Sequence, residues 1–290
     1  MMNLEELELQ YSPSRWTQRF ETTSKAVPDH VQVLTEGSER ARQNLEHSSI
    51  VYGESEEQKV DVFYPSGNKQ GLPIFVYIHG GYWQDMSLSV SSFMAETFVG
   101  SGAIVAVVGY DLAPKVNMGQ IINQVKKALG SVMYLAKKRE SSGVYICGHS
   151  AGAHLAAMML SVDWMGEFME SPGFLKGVFL VSGIFDLRPL VATYVNEPLK
   201  MTDEEAWTHS PMNHLTDITC RKCKVVVLVA EHDSPEFRKQ AKEYHTALQE
   251  AGMATQFVDV PGVDHFDVVE KLSEPQYQLT QLYLEMMGIQ

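Results

Sequence analysis

Cysteine is scarce in this chain. Only Cys147, Cys220 and Cys223 occur among 290 residues, and the number is odd. That argues against a disulfide-built secreted scaffold and favours a reducing compartment. Cys220 and Cys223 share a C-x-x-C spacing, but zinc needs four ligands and no second pair stands near them in the sequence. Long apolar runs are missing as well: none approaches the roughly 18 residues a membrane helix needs. The first ten residues, MMNLEELELQ, are acidic and lack the apolar stretch of a signal peptide. Basic charge is in deficit, with 23 Lys and Arg against 36 Asp and Glu and a net charge of −13. Such a surface repels nucleic acid and anionic lipid, so neither is expected as a partner. No internal repeat or low-complexity linker breaks the chain. The expectation is a soluble, cytosolic protein with one domain over residues 1–290.

What is present is strand–helix alternation. The hydrophobic fraction of 44% is ample for the core of a large α/β domain. Val60, Val62 and Tyr64 alternate with Lys59 and Asp61, as in a half-exposed strand. The runs PIFVYI (73–78), AIVAVV (103–108), VYIC (144–147), GVFLV (177–181) and VVVLVA (225–230) are continuously apolar, as buried parallel strands are. A last strand is expected at 256–260. Helices are expected at 37–48, at 89–99, around Ile121–Ala136 and from residue 267 onward. Another starts at Ser234-Pro235, with Ser as N-cap and Pro in the first turn. The pattern implies a doubly wound, mostly parallel sheet with helices on both faces. Residues 184–221 carry no strand signal and are read as a small helical cap. Residues 1–50 are read as a lid or outer layer, with a buried aromatic in the turn Tyr11–Trp16.

The chain is organised around VYICGHSAGAHLAAMML at 144–160. An apolar run, then G-x-S-x-G, then a small-residue helix is the pattern of a nucleophile elbow. The tight turn lifts the Ser150 hydroxyl clear of the backbone, and Gly148 and Gly152 leave room where strand and helix nearly collide. The helix N-terminus behind Ser150 favours negative charge. G-x-S-x-G by itself recurs by chance in roughly one chain in ten of this length, so its setting carries the weight.

In a doubly wound sheet, ligands bind at the carboxyl ends of the strands, so each further candidate should follow a strand. A serine needs a base, and the order in this class is Ser, then Asp or Glu, then His. His154 lies within the elbow helix, His209 and His214 in the insert, and His245 on a later helix; His232 precedes the last strand. His265, five residues past that strand, fits best as general base. Asp233, three residues past the 225–230 run, fits best as its acid; Glu231 is the runner-up, and Asp264 is badly placed to reach the ring. A tetrahedral oxyanion needs preorganised N–H donors. His79-Gly80-Gly81-Tyr82-Trp83 follows the PIFVYI run, so the N–H groups of Gly81 and of Tyr82 or Gly80, with that of Ala151, are candidates. No cofactor or metal is called for. His149 and His154 are five apart rather than the four of a zinc helix, and no Glu follows His149.

HGG (79–81), GHSAG (148–152) and SGIFDL (182–187) resemble the hormone-sensitive-lipase-like branch of the α/β-hydrolases. HGGYWQ (79–84), YSPSRW (11–16) and DSPEF (233–237) resemble animal kynurenine formamidases, or arylformamidases. The resemblance spans the chain from residue 11 to the C-terminal helices, and HGGYW is its specific part. It implies an α/β-hydrolase fold and hydrolysis of N-formyl-L-kynurenine to L-kynurenine and formate. It implies Ser150, Asp233 and His265 as the triad and the HGGYW glycines as oxyanion donors. His79 and Trp83 then belong to the motif that lines the pocket. Tyr82 and Trp83 would crowd the formyl side and flank the aromatic ring. Tyr194, Asn196 and Trp207 are candidates for the amino-acid end of this small-molecule substrate. A general short-acyl carboxylesterase and an inactive hydrolase-like binding protein are the alternatives. A homodimer is compatible with the sequence.

Overall fold

The continuous apolar runs become the interior strands of one sheet in a computed structural model that describes residues 2–67 and 69–289. Among the described residues the strands are β1 (Glu46–Val51), β2 (Lys59–Tyr64), β3 (Ile74–Ile78), β4 (Ile104–Val108), β5 (Val144–His149), β6 (Leu175–Val181), β7 (Lys224–Ala230) and β8 (Ala254–Val260). Their order is β1-β2-β4-β3-β5-β6-β7-β8. The β1–β2 and β2–β4 pairs are antiparallel and the remaining pairs parallel. The chain therefore starts β3 in the middle and winds outward in both directions, which puts the switch point at β3 and β5.

Each interior strand is buried on both faces, so its side chains alternate between two cores. Val60, Val76, Ile78 and Ile146 face a core built with α4 (Met118–Lys138), α5 (Ala151–Met158) and α9 (Pro235–Glu250). Phe63, Phe75, Tyr77 and Cys147 face a second core with α2 (Ala26–Asn44), α3 (Ala95–Gly100), α10 (Asp267–Glu270) and α11 (Gln278–Met286). This is the α/β-hydrolase fold. α4 and α9 begin as their sequences dictate: Asn117 and Gln120 form a capping box on α4, and the Ser234 hydroxyl accepts the Phe237 N–H at 3.3 Å. The helix α1 (Leu4–Gln10) precedes the Tyr11–Trp16 turn, in which Tyr11 is fully buried. The 184–221 stretch contains no strand; it holds α7 (Asn196–Leu199), α8 (Asp203–Thr208) and short 3-10 turns. α6 (Trp164–Phe168) sits between β5 and β6 in the chain.

Two expectations need correction. The helix placed at 37–48 is in fact the 19-residue α2, and residues 46–51 form β1. The helix was expected to start at Gly37, which instead lies inside α2, where a Cβ would sit 2.8 Å from the Phe93 Cβ. α2 and the turn before α3 meet too closely at that point for a side chain. β1, with the sequence EHSSIV, is an exposed edge strand that buries almost nothing, so it shows no apolar alternation. The helix expected at 89–99 is a 3-10 turn at Leu88–Val90 followed by α3. All three cysteines are buried and free. No described helix is long and apolar enough to cross a membrane.

The elbow depends on two glycines. A Cβ on Gly152 would lie 2.1 Å from the Ile78 carbonyl oxygen, and one on Gly148 would lie 2.1 Å from the Gly152 carbonyl oxygen. Both obstacles are backbone and cannot move aside. Gly152→Ala is expected to lower stability by about 2–3 kcal/mol through overpacking, measured by urea denaturation. A midpoint unchanged within error would show that β3 and α5 can separate freely.

Candidate active site

Five loops leave the carboxyl ends of β3, β5, β6, β7 and β8, and they bring the candidate residues together. Ser150 directly follows β5, with φ 55° and ψ −119°, a backbone conformation costly for any residue but glycine. Its N–H donates to the Val181 carbonyl at 2.8 Å, which anchors the strained turn to β6. The Ser150 Cβ lies 3.0 Å from where a Cβ on Gly80 would stand, so only a glycine lets the loop after β3 approach so closely.

That loop is itself strained. Gly81, Tyr82 and Trp83 have φ of 95°, 49° and 61° in succession. Three consecutive left-handed residues turn the peptide N–H groups toward one side. Among the described residues no backbone carbonyl accepts the N–H of Gly81, Tyr82 or Ala151. His79 holds the start of the loop: its ring stacks on Tyr110 at 4.3 Å, its Nδ1 lies 2.9 Å from the Gly80 carbonyl oxygen, and the Tyr110 hydroxyl donates to its carbonyl at 2.9 Å. Burial lowers the His79 pKa to about 4, so the ring is neutral.

On the far side of Ser150, His265 and Asp233 form a buried pair. His265 Nδ1 lies 2.7 Å from Asp233 Oδ1, and both side chains are almost wholly shielded from solvent. The other carboxylate oxygen of Asp233 accepts the Ser182 hydroxyl at 2.5 Å and the Ala230 N–H at 2.9 Å. The acid is thus fixed by two donors on one oxygen, which leaves the other for the ring. The edge of Phe237 packs against the His265 ring at 5.0 Å. Glu231 does other work: its carboxylate accepts the Gly262 N–H at 2.6 Å and pins the His265 loop to the end of β7.

The sequence candidates outside this group lie as follows. Trp83, expected against the substrate ring, is fully buried, and its indole N–H donates to His154 Nδ1 at 3.2 Å. It supports the loop after β3 and has no surface with which to line a pocket. His154 Nε2 in turn donates to the His209 carbonyl at 2.7 Å, so this ring ties loop, α5 and insert together; burial lowers its pKa to about 3. Tyr82 is half-buried and donates its hydroxyl to the Tyr11 carbonyl at 2.7 Å. Tyr194 is exposed and meets the same carbonyl at 3.2 Å, whereas Asn196 bonds only within the insert and Trp207 stacks under the Arg188 guanidinium. His232, His214 and His245 pair with Gln18, Asp217 and Thr255. A cavity of about 600 Å³ opens beside Asp233, lined by Trp16, Gln18, His232 and Arg238 among others. A larger one of about 890 Å³ lies at the opposite end of the sheet, among Tyr52, Tyr64, Tyr134 and Phe168. Size therefore does not select the site.

The sequence reading missed Ser182 and the support around Asp264. Ser182 stands directly after β6 with φ 49°, so the strand-end rule applied to β6 would have found it. Asp264 is saturated by the Thr17 hydroxyl, Arg19 Nε at 2.8 Å and the N–H groups of Phe266 and Asp267. Arg19 also reaches Glu270 at 2.9 Å, and Glu270 lies 2.7 Å from His30 Nδ1. No local pattern marks a partner 245 residues away.

The comparisons with known proteins agree with this geometry. Residues 75–268 match the family described as alpha/beta hydrolase fold. The kynurenine formamidase of Danio rerio is 47% identical over 290 residues, covering 99% of this chain and 97% of that protein. The kynurenine formamidase of Drosophila melanogaster is 33% identical, covering 92% of each. The chain belongs to the kynurenine formamidase family. Among solved structures, a Silicibacter sp. TM1040 protein named as a candidate thioesterase superposes with a TM-score of 0.75 at 29% identity. That match covers 95% of this chain and 98% of the other. Family membership extends across the N-terminal 74 residues that the fold-level match leaves out, and those residues contain Tyr11, Thr17 and Arg19.

The Arg19 cluster predicts a pH-dependent stability. Burial alone would raise the Asp264 pKa, but hydrogen bonds from Thr17, the Asp267 N–H, Arg19 and the Phe266 N–H hold it well below the usual carboxylate range. Burial likewise opposes, and His30 and Arg19 outweigh it, to lower Glu270. Groups depressed in the folded state stabilise it fully above their unfolded pKa values of about 4 and lose that contribution as pH falls through the folded values. Asp267, raised by burial, acts with the opposite sign. Arg19→Ala is expected to cost about 2–3 kcal/mol at pH 7, and the gap to wild type should narrow at pH 3. Denaturation midpoints at both pH values measure it; a constant gap would remove the ionic account.

Proposed function

We propose that this enzyme hydrolyses N-formyl-L-kynurenine to L-kynurenine and formate, with Ser150 as nucleophile, His265 as general base and Asp233 as its acid. The observation that carries the residue assignment is the His265–Asp233 contact at 2.7 Å, set at the strand ends beside the strained Ser150 turn. Asp233 fixes the ring with Nδ1 protonated, which leaves Nε2 free to take a proton. His265 takes the Ser150 proton as the hydroxyl oxygen attacks the formyl carbon. The oxyanion that forms is met by the free N–H groups of Gly81, Tyr82 and Ala151, at the N-terminus of α5. Collapse of the intermediate breaks the C–N bond, and His265 returns its proton to the departing aniline nitrogen. The product is L-kynurenine and a formyl ester on Ser150. Water, deprotonated by His265, then attacks that ester and releases formate.

A formyl group carries only hydrogen beyond its carbonyl, so the acyl side needs little room. The tight approach of the Gly80 loop to Ser150 suits that demand. Tyr82 and Tyr194, both bonded to the Tyr11 carbonyl, close the seam between the N-terminal layer and the 184–221 cap. Residues 1–290 act as one domain, working in the cytosol on a small molecule.

Formate release from N-formyl-L-kynurenine, with p-nitrophenyl acetate alongside, tests the proposal. Ser150→Ala should lower turnover about a million-fold and Asp233→Asn roughly ten-thousand-fold, as in other triads. Activity on the ester alone would keep the triad and refute the substrate. A serine-reactive organophosphate should label Ser150; no label and no Ser150-dependent activity would move the protein to a binding role.

A further inference from the structure

We infer that His149 is a positioning residue that holds the Ser150 turn, the His265 loop and the Gly80 loop at fixed separations. The inference rests on the triad assignment above and adds a part to it. His149 precedes Ser150 in the elbow, and its ring is buried. Its Nε2 lies 2.7 Å from the backbone carbonyl oxygen of His265, and a carbonyl can only accept, so Nε2 carries the proton. Its Nδ1 lies 3.4 Å from where a Cβ on Gly80 would stand. One imidazole therefore sits on the Ser150 turn, bonds the His265 loop and stands where a side chain on Gly80 would press against it. Each of those loops leaves a different strand, and this tie acts beside those that Glu231, Thr17 and Arg19 make to the His265 loop.

The surroundings keep this ring neutral. Burial lowers its pKa well below the ordinary histidine value, and a charge on His265 or His30 would lower it further; the hydrogen bond to the His265 carbonyl and then the Asp264 charge oppose. Its ring centroid stands 4.9 Å from that of His265 and 6.2 Å from that of His30. A neutral donor can hold the His265 loop through the whole reaction, including the steps in which His265 is charged. A cationic side chain here would oppose the imidazolium that the mechanism forms.

Three variants and one spectrum test this. His149→Phe keeps the ring and loses the donor; His149→Gln keeps an N–H where Nε2 stood. The phenylalanine variant should lose roughly 100-fold in kcat, the scale of a misplaced catalytic group. Its KM should stay within about threefold of wild type, because the substrate contacts remain. Organophosphate labelling of Ser150 should slow in parallel, and the glutamine variant should recover most of both rates. Ser150→Ala serves as the blank. On the wild-type enzyme, nitrogen NMR of labelled histidines should show His149 as the Nε2–H tautomer without titration between pH 5 and 9.

A folded His149→Phe enzyme with undiminished kcat would overturn the inference. So would equal losses in the two variants, or a His149 that titrates or carries its proton on Nδ1. The spectrum decides even where a variant fails to fold. Failure of the proposed function is distinguishable: wild type would then label at Ser150 without releasing formate, and the labelling rates would still judge His149.

Discussion

The whole site depends on how closely one turn can approach a neighbouring strand. Gly148 and Gly152 let β5 reverse into α5 so tightly that the first turn of the helix lies against the carbonyls of Ile78 and His79. Gly80 completes the approach from the other side. Three missing Cβ atoms therefore bring β3 and β5 together at the point where the sheet changes winding direction. The hydroxyl of Ser150, the helix N-terminus and the N–H groups after β3 converge there because nothing larger than hydrogen occupies the gaps. The strain at Ser150 is the consequence, and it is tolerated because the N–H of that residue is held by β6 and both flanking elements are deeply packed.

Around that point the chain adds constraints from remote segments. The His265 loop runs between β8 and α10, with Val263, Asp264, His265 and Phe266 all buried. It is tied at Gly262 by Glu231, at Asp264 by Thr17 and Arg19, and at the His265 carbonyl by His149. The N-terminal layer thus does more than cover the sheet. Tyr11 receives Tyr82 from one loop and Tyr194 from the insert, and its own hydroxyl accepts Gln240 from α9. Burial of so many polar groups near the centre is compatible with stability because nearly every one has a partner.

How much of this was legible in the sequence follows from what each element buries. Strands β3 to β7 were visible because both faces are covered, which leaves an uninterrupted apolar run. β1 was invisible because it covers little and is covered by little. Ser150, Asp233 and His265 could be chosen because each follows such a run and the order along the chain is restrictive. Trp83 was expected at the pocket and is fully buried, because a motif position says nothing about whether a side chain ends up at the surface. Ser182, Arg19 and His149 were not recognised as support, since their partners lie 51, 245 and 116 residues away.

The sequence by itself determined the winding of the sheet, the elbow, the candidate triad and the family, because these rest on local pattern and on residue order. Only the tertiary structure decided which groups hold the candidate triad in place. Hydrogen bonds and ion pairs between loops of different strands depend on distances that the folded sheet creates. A chain read in one dimension contains no trace of those distances until its strands are laid side by side.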